Sequence, residues 1–132
     1  LAEDEIALEW TIPDDLPPVS AGRHGLLHIF MNLAANSQRV LRTVEVRRMK
    51  IEAVVEQDRV SVRFLDSGPG VMHPEALFQP FGHTSEGTGL GLYLSRALAR
   101  SFAGDLRHES SAFNTCFVVE LAPVRRTEAA AN

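Results

Sequence analysis

Asp66-Ser67-Gly68-Pro69-Gly70, Leu77-Phe78-Gln79-Pro80-Phe81 and Gly87-Thr88-Gly89-Leu90-Gly91-Leu92 follow one another closely along the chain. The first comes directly after Val60-Ser61-Val62-Arg63-Phe64-Leu65, a run with strand character, and the last opens a run with helical spacing. A carboxylate followed by closely spaced glycines suits a backbone that approaches a flat ring, because glycine has no Cβ. Glycines just ahead of a helix suit phosphates, since free N–H groups and the positive end of the helix dipole point at them. One motif for a base and one for phosphates imply a nucleotide pocket. Each has a plainer reading when taken alone. Asp66-Ser67-Gly68 can be a turn after a strand, Phe78 and Phe81 can be core, and residues 87–91 can be a flexible loop.

Working outward, Ile6 to Ile12 alternates apolar and polar residues and reads as a strand ended by Pro13, with Leu16-Pro17-Pro18-Val19 a rigid connector. Residues 23–42 have helical periodicity, and Glu45 to Lys50 is ambiguous. Ile51 to Glu56 and Arg59 to Leu65 read as a hairpin turning at Gln57-Asp58. Residues 71–76 are a loop or a short helix, with Pro74 suited to a first turn. Leu90 to Phe102 is helical, with Leu90, Leu94, Ala97, Leu98 and Phe102 assigned to one face and Gly104 as the stop. Asp105 to Glu109 and Thr115 to Leu121 make a second hairpin. From Pro123 onward the chain is polar or alanine-rich. The expected division is one domain over 1–124 and a disordered tail over 125–132. This order of elements predicts an α+β fold, a mixed β-sheet covered on one face by helices.

Helix 23–42 carries a second chemical signal. With Asn32 at zero, His28 falls near about −40°, Asn36 near about +40° and Arg39 near about −20° at helical pitch. Leu26, Phe30, Leu33, Ala34, Ser37, Val40 and Leu41 fall on the other side. The polar stripe reads either as a solvated face or as a clamp for Mg²⁺ and phosphate. Asparagine is a poor helix former, so a merely solvated stripe would more naturally use Glu, Lys or Gln. Amide oxygens are hard neutral ligands, and a guanidinium can grip phosphate oxygens with two parallel hydrogen bonds.

Composition narrows the field. The chain has 132 residues, 45% hydrophobic and 23% charged, ordinary for a globular domain with a real core. A formal charge of −4 argues against a general nucleic-acid binder, so no nucleic-acid partner is expected. Cys116 is the only cysteine and sits in an apolar strand-like run, which suits a small buried hydrophobe and a reducing, cytoplasmic compartment. No apolar run reaches membrane-spanning length, and whether an intact protein is membrane-anchored stays open. Lys50 is the only lysine and no glycine-rich loop precedes it, which removes the P-loop. The opening residues Leu1-Ala2-Glu3-Asp4 read as the start of a piece excised from something longer.

Together these motifs resemble the catalytic and ATP-binding domain of bacterial sensor histidine kinases, within the GHKL superfamily. Asn32-Leu33-Ala34-Ala35-Asn36 is similar to the N box of that family. Asp66-x-Gly68-x-Gly70 is similar to its first glycine box, Phe78-Gln79-Pro80-Phe81 to its F box, and Gly87-x-Gly89-Leu90-Gly91-Leu92 to its second glycine box. The four stand in the family's order, and the likeness covers about residues 6 to 121.

The resemblance implies a Bergerat-type two-layer sandwich with ATP and Mg²⁺ held among the helices. It implies that Asp66 accepts a hydrogen bond from the adenine amino group, and that Gly68 and Gly70 let the backbone pass close to the ring. Asn36 ligates Mg²⁺ with Asn32 beside it, and Arg39 stands near the phosphates. Gly87, Thr88, Gly89, Leu90 and Gly91 cradle phosphates beneath a lid anchored near Phe81, and Thr115 joins the nucleotide contacts. Asn32, Asn36 and Arg39 are the residues expected to serve catalysis.

ATP-hydrolysing relatives carry glutamate one turn before the Mg²⁺-binding asparagine. Here that position is Asn32, and an amide is no general base. Phosphoryl transfer to a histidine is therefore expected, with a GHKL-type ATPase or a degenerate nucleotide-binding module as the alternatives. The implied partners are a histidine-bearing dimerisation domain of the same protein and a response regulator, with the isolated domain monomeric. His24, His73 and His108 lack the family's acceptor context, so the fragment alone is expected to show no appreciable self-phosphorylation. Three departures stand out: Val40 in place of an aromatic residue, a short lid of residues 82–86 in which His83 is the basic group, and Asn114 where relatives have glycine.

Overall fold

The computed structural model describes residues 5–81, 90–110 and 114–124. Five strands and two helices follow the order β1 (Ala7–Thr11), α1 (Arg23–Leu41), β2 (Arg48–Glu56), β3 (Arg59–Asp66), α2 (Gly91–Ser101), β4 (Asp105–Glu109) and β5 (Thr115–Leu121). A single 3-10 turn, Pro74–Ala76, lies between β3 and α2. The sheet order is β1-β2-β3-β5-β4. Strand β1 pairs parallel with β2 and the remaining pairs are antiparallel, so the sheet is mixed.

The β2–β3 hairpin turns on Gln57 and Asp58, both at positive φ, the twist that two-residue hairpin loops require. Strand alternation then sorts the residues. Val60, Val62 and Phe64 of β3 pair with Leu121, Val119 and Phe117 of β5 and join the core beneath the helices. From above, α1 contributes Ile29, Leu33 and Leu41, and α2 contributes Leu92 and Ala99. The opposite face of the sheet carries Leu65, Cys116 and Val118 under a lattice of charged side chains. Arg63 pairs with Glu56 at 2.9 Å, and Arg107 with Glu120 at 2.7 Å. Burial raises the Cys116 thiol to about 11, so it behaves there as a small hydrophobe. None of the described helices is long and apolar enough to cross a membrane.

Helix α2 faces differently from its apolar periodicity. On α2 the buried residues are Leu92, Ser95 and Ala99, whereas Leu94 is 50% exposed and Ala97 is exposed. Leu98 and Phe102 instead lie over Gly25 of α1. Small residues bury because they let the helix approach its neighbours, and a pattern that counts only large apolar side chains misplaces the face. On α1 the face drawn from periodicity holds: Leu33, Ser37 and Leu41 are buried together with Ile29, and Leu26, Phe30 and Ala34 pack half-buried against the core. The polar stripe is not uniformly solvated: Gly25 and Asn32 face α2, and His28 is exposed.

At the far end Ser20 N–H donates to the Ala122 carbonyl at 2.7 Å, and Val124 N–H to the Pro18 carbonyl at 2.8 Å. Pro123 and Val124 are thereby tied to the connector after β1. Residues 125–132, read above as a tail, lie outside the described residues.

The corrected face of α2 has a measurable consequence. Leu92→Ala is expected to cost about 2–5 kcal/mol in equilibrium denaturation, and Leu94→Ala under about 1 kcal/mol. Equal losses at the two positions would restore the face drawn from periodicity.

Candidate functional site

Strand β3 ends at Asp66, whose position in the alternation puts its side chain on the helix face, as with Phe64 two residues earlier. Thr115, the first residue of β5, stands directly opposite it in register. Helix α1 crosses above this row. Asp66 is fully buried, and three donors converge on its carboxylate. Ser37 Oγ donates to Oδ2 at 2.8 Å, the Gly68 backbone N–H donates to Oδ1 at 2.9 Å, and the Thr115 hydroxyl adds a third. Burial is the largest influence on the group and pushes its pKa above the ordinary carboxylate value; the three hydrogen bonds pull the other way.

Two glycines make the close approaches around this carboxylate and along α1. A Cβ on Gly68 would lie 2.8 Å from Asp66 Oδ1 and 3.1 Å from Val40 Cγ2 of α1. A Cβ on Gly91, the first residue of α2, would lie 2.9 Å from both amide atoms of Asn32. Helix α1 therefore touches the first glycine turn with Ser37 and Val40 and the second with Asn32. The Asn32 amide donates to Ser95 Oγ at 2.8 Å, and Arg39 donates to Asn36 Oδ1 at 2.8 Å. Asn36, adjacent in sequence to Ser37, lies on the same helix between the two contacts. The start of α2, with its positive dipole end, faces the amide stripe at Gly91.

The aromatic motif divides in two. Phe78 stacks edge-on against Phe117 with ring centroids 6.3 Å apart, and the Arg96 guanidinium lies 4.7 Å over its ring. Arg96 also donates to Asp105 Oδ1 at 3.1 Å, joining α2, β4 and the aromatic turn. Phe81 has φ of 59°, an uncommon conformation for a bulky residue, and is 61% exposed. Gly70 has φ of +86°. Leu90 is half-buried just before α2. His83, Gly87, Thr88 and Gly89 lie outside the described residues.

The structure thus groups Asn32, Asn36, Arg39, Asp66, Gly68, Gly91 and Thr115 around α1. Ser37 belongs with them but reads from sequence as one more core-facing position of α1. A serine among leucines on a buried helix face was the available signal. An apolar concavity of about 590 Å³ lies elsewhere, between α1, β1 and the rest of the sheet, lined by Trp10, Ile12, Phe30, Met31 and other apolar side chains. With no polar lining it has nothing to hold phosphates. Hydrogen-bonding chemistry, more than volume, marks the Asp66 region as the candidate site.

These residues can receive a purine amino group at Asp66. They can also offer amide oxygens and a guanidinium to a metal–phosphate group. Among the described residues no three His, Cys, Asp or Glu side chains cluster to hold a metal unaided. A Mg²⁺ ion here fits only when shared between the Asn36 and Asn32 oxygens and a nucleotide's own phosphates.

Comparison with known proteins shows the family. Residues 21–125 match the family described as histidine kinase-, DNA gyrase B-, and HSP90-like ATPase. Sporulation kinase E of Bacillus subtilis is 30% identical over 125 residues, covering 92% of this chain and 17% of that protein. The two-component sensor PprA of Pseudomonas aeruginosa is 30% identical over 139 residues, covering 98% of this chain and 15% of that protein. Among solved structures, the catalytic domain of histidine kinase ThkA superposes with a TM-score of 0.76 at 26% identity, covering 88% of this chain and 79% of that one. Full-length ShkA in complex with AMPPNP gives 0.77 at 25% identity, covering 92% of this chain and 27% of that one. The chain therefore spans less than a fifth of the length of the two relatives matched by sequence.

Proposed function

Because the chain belongs to the histidine kinase-, DNA gyrase B- and HSP90-like ATPase family, as an ATP-binding catalytic domain of the sensor-histidine-kinase type, we propose that it passes the γ-phosphoryl group of ATP to a histidine on a separate dimerisation domain. The observation that carries this reading is the absence of any carboxylate on α1. Position 32, where a water-activating base would stand, is an asparagine whose amide is bonded to Ser95. Asp66, which the same helix does reach, is fully buried under its donors and stands at the base end of the site in this reading. A neutral imidazole is already a nucleophile and needs no such base. What this chain supplies is position and charge: Asp66 fixes the base, Gly68 and Gly70 let the backbone lie close to it, and Asn36, Asn32 and Arg39 meet the phosphates. A Mg²⁺ bound with the nucleotide would supply neutralisation of phosphate charge.

In this reading Leu90 and Gly91 of the second glycine box stand at the phosphate end, and Thr115 completes the base contacts; Gly87, Thr88 and Gly89, which the same role would include, lie outside the described residues. The histidine-bearing domain and the response regulator are partners of the whole protein. The closest competing reading is an ATPase. Incubating this domain with labelled ATP, Mg²⁺ and the cognate histidine-bearing helical domain decides between them. Label on the partner histidine, with negligible phosphate release by the domain alone, is the expected result. Steady hydrolysis without that partner favours the ATPase.

The base contact has its own test. Asp66→Asn replaces an acceptor-only group by an amide and is expected to weaken ATP binding by about 1.5–3 kcal/mol. Calorimetry checks this, and unchanged affinity removes Asp66 from base recognition.

A further inference from the structure

Ser95 is 0% exposed on the inward face of α2, one turn from Leu92 on one side and from Ala99 on the other. Alanine would fill the same space and favour the helix more. The hydroxyl serves the neighbouring helix instead: Ser95 Oγ accepts from Asn32 Nδ2 at 2.8 Å, its one side-chain hydrogen bond among the described residues. An amide has a donor end and an acceptor end, so holding Nδ2 also settles where Oδ1 stands. Gly91 meets the amide from the same helix. A Cβ there would lie 2.9 Å from both Nδ2 and Oδ1, so the group lies broadside to the first residue of α2.

The two asparagines of α1 consequently differ. Asn36 Oδ1 already accepts from Arg39 at 2.8 Å. Asn32 Oδ1 accepts nothing among the described residues, and Asn32 is only half-buried.

We propose that Ser95 is a positioning residue for the metal end of the site: by holding Nδ2, its hydroxyl presents Asn32 Oδ1 as a preset neutral ligand for the Mg²⁺ that accompanies the nucleotide. This role rests on the ATP-binding reading above. Presetting matters because Mg²⁺ demands near-ideal geometry and gives up its waters reluctantly. An amide free to turn over would offer the cation its NH₂ group, which cannot ligate, for part of the time. Asn36 has to share its oxygen with a guanidinium or be released by it, whereas Asn32 needs neither. A nucleotide without metal gains nothing from this oxygen, since phosphate and carbonyl oxygens are both acceptors. Ser95 therefore acts on the metal dependence of binding and not on nucleotide binding as such.

The hydrogen bond and its consequence are measured separately on the whole domain. Without nucleotide, the Asn32 side-chain NH₂ group is followed by ¹H–¹⁵N NMR in wild type, Ser95→Ala and Ser95→Cys. Affinity for the non-hydrolysable ATP analogue AMPPNP is then measured by calorimetry in EDTA and across a Mg²⁺ series. The same three proteins are used, together with Asn32→Ala with and without Ser95→Ala. Ser95→Ala is expected to shift the Asn32 NH₂ resonances and to raise the Mg²⁺ concentration for half-maximal tightening about threefold to tenfold. Affinity in EDTA should be no weaker than wild type. Ser95→Cys keeps the packing volume but offers only a weak acceptor, and should behave like Ser95→Ala. In the Asn32→Ala background the serine should change nothing. Unmoved NH₂ resonances, an unchanged Mg²⁺ midpoint, or equal losses with and without metal overturn the proposal while leaving nucleotide binding intact. If the resonances move but wild type binds no AMPPNP at any Mg²⁺ concentration, the ATP-binding reading fails and the metal role fails with it.

Discussion

At Gly68 and Gly91 a Cβ would meet side-chain atoms closer than 3.0 Å, and α1 lies against both. At Gly68 the obstacles are Asp66 and Val40; at Gly91 the obstacle is the Asn32 amide. That double contact determines the arrangement of everything polar in the region. It brings the end of β3 and the start of α2, far apart in sequence, against one helix. It also aligns the amide stripe of α1 along the line between them. A Cβ at Gly68 would displace the Asp66 carboxylate, and one at Gly91 the Asn32 amide. The glycines thus serve as clearance for α1 as much as for any ligand.

Desolvation sharpens the argument. A carboxylate taken fully out of water is costly unless hydrogen bonds replace the hydration. Asp66 is given three such bonds, from a helix, a neighbouring strand and its own following turn. Core packing alone offers no reason for this concentration of polar chemistry in an otherwise apolar layer of Phe64, Leu33 and Val119. The charged lattice on the outer face of the sheet is a different matter. Arg63, Arg107, Glu109 and Glu120 remain partly exposed and pair with one another, which solvated strands do readily.

Much of this was readable in the chain itself. Alternation in β3 and β5 and the turn at Gln57-Asp58 define the mixed sheet with its helices on one side. The family was readable from the order of four motifs, each weak alone. What escaped was set by small side chains and by contacts distant in sequence. Ser95 and Ala99 turn α2 to a face that large apolar residues do not mark. Asn32 looked like part of an outward stripe because nothing in 23–42 says that α2 will lie against it; its partner Ser95 is 63 positions away. Ser37 was counted as core for the same reason, since a hydroxyl and a methyl score alike until the strand beneath is known to end in aspartate. The site residues themselves are proposals, and the geometry says which of them stand together.

The central claim is that the two glycine turns and α1 form a single nucleotide-binding unit, distinct from the apolar concavity on the other side of α1. Backbone amide shifts recorded by NMR during a MgADP titration test it most directly. Shifts concentrated at Asn36, Ser37, Gly68, Gly91 and Thr115 are what the account predicts. Shifts at Trp10, Ile12, Met31 and Leu121 with those five amides unmoved would contradict it.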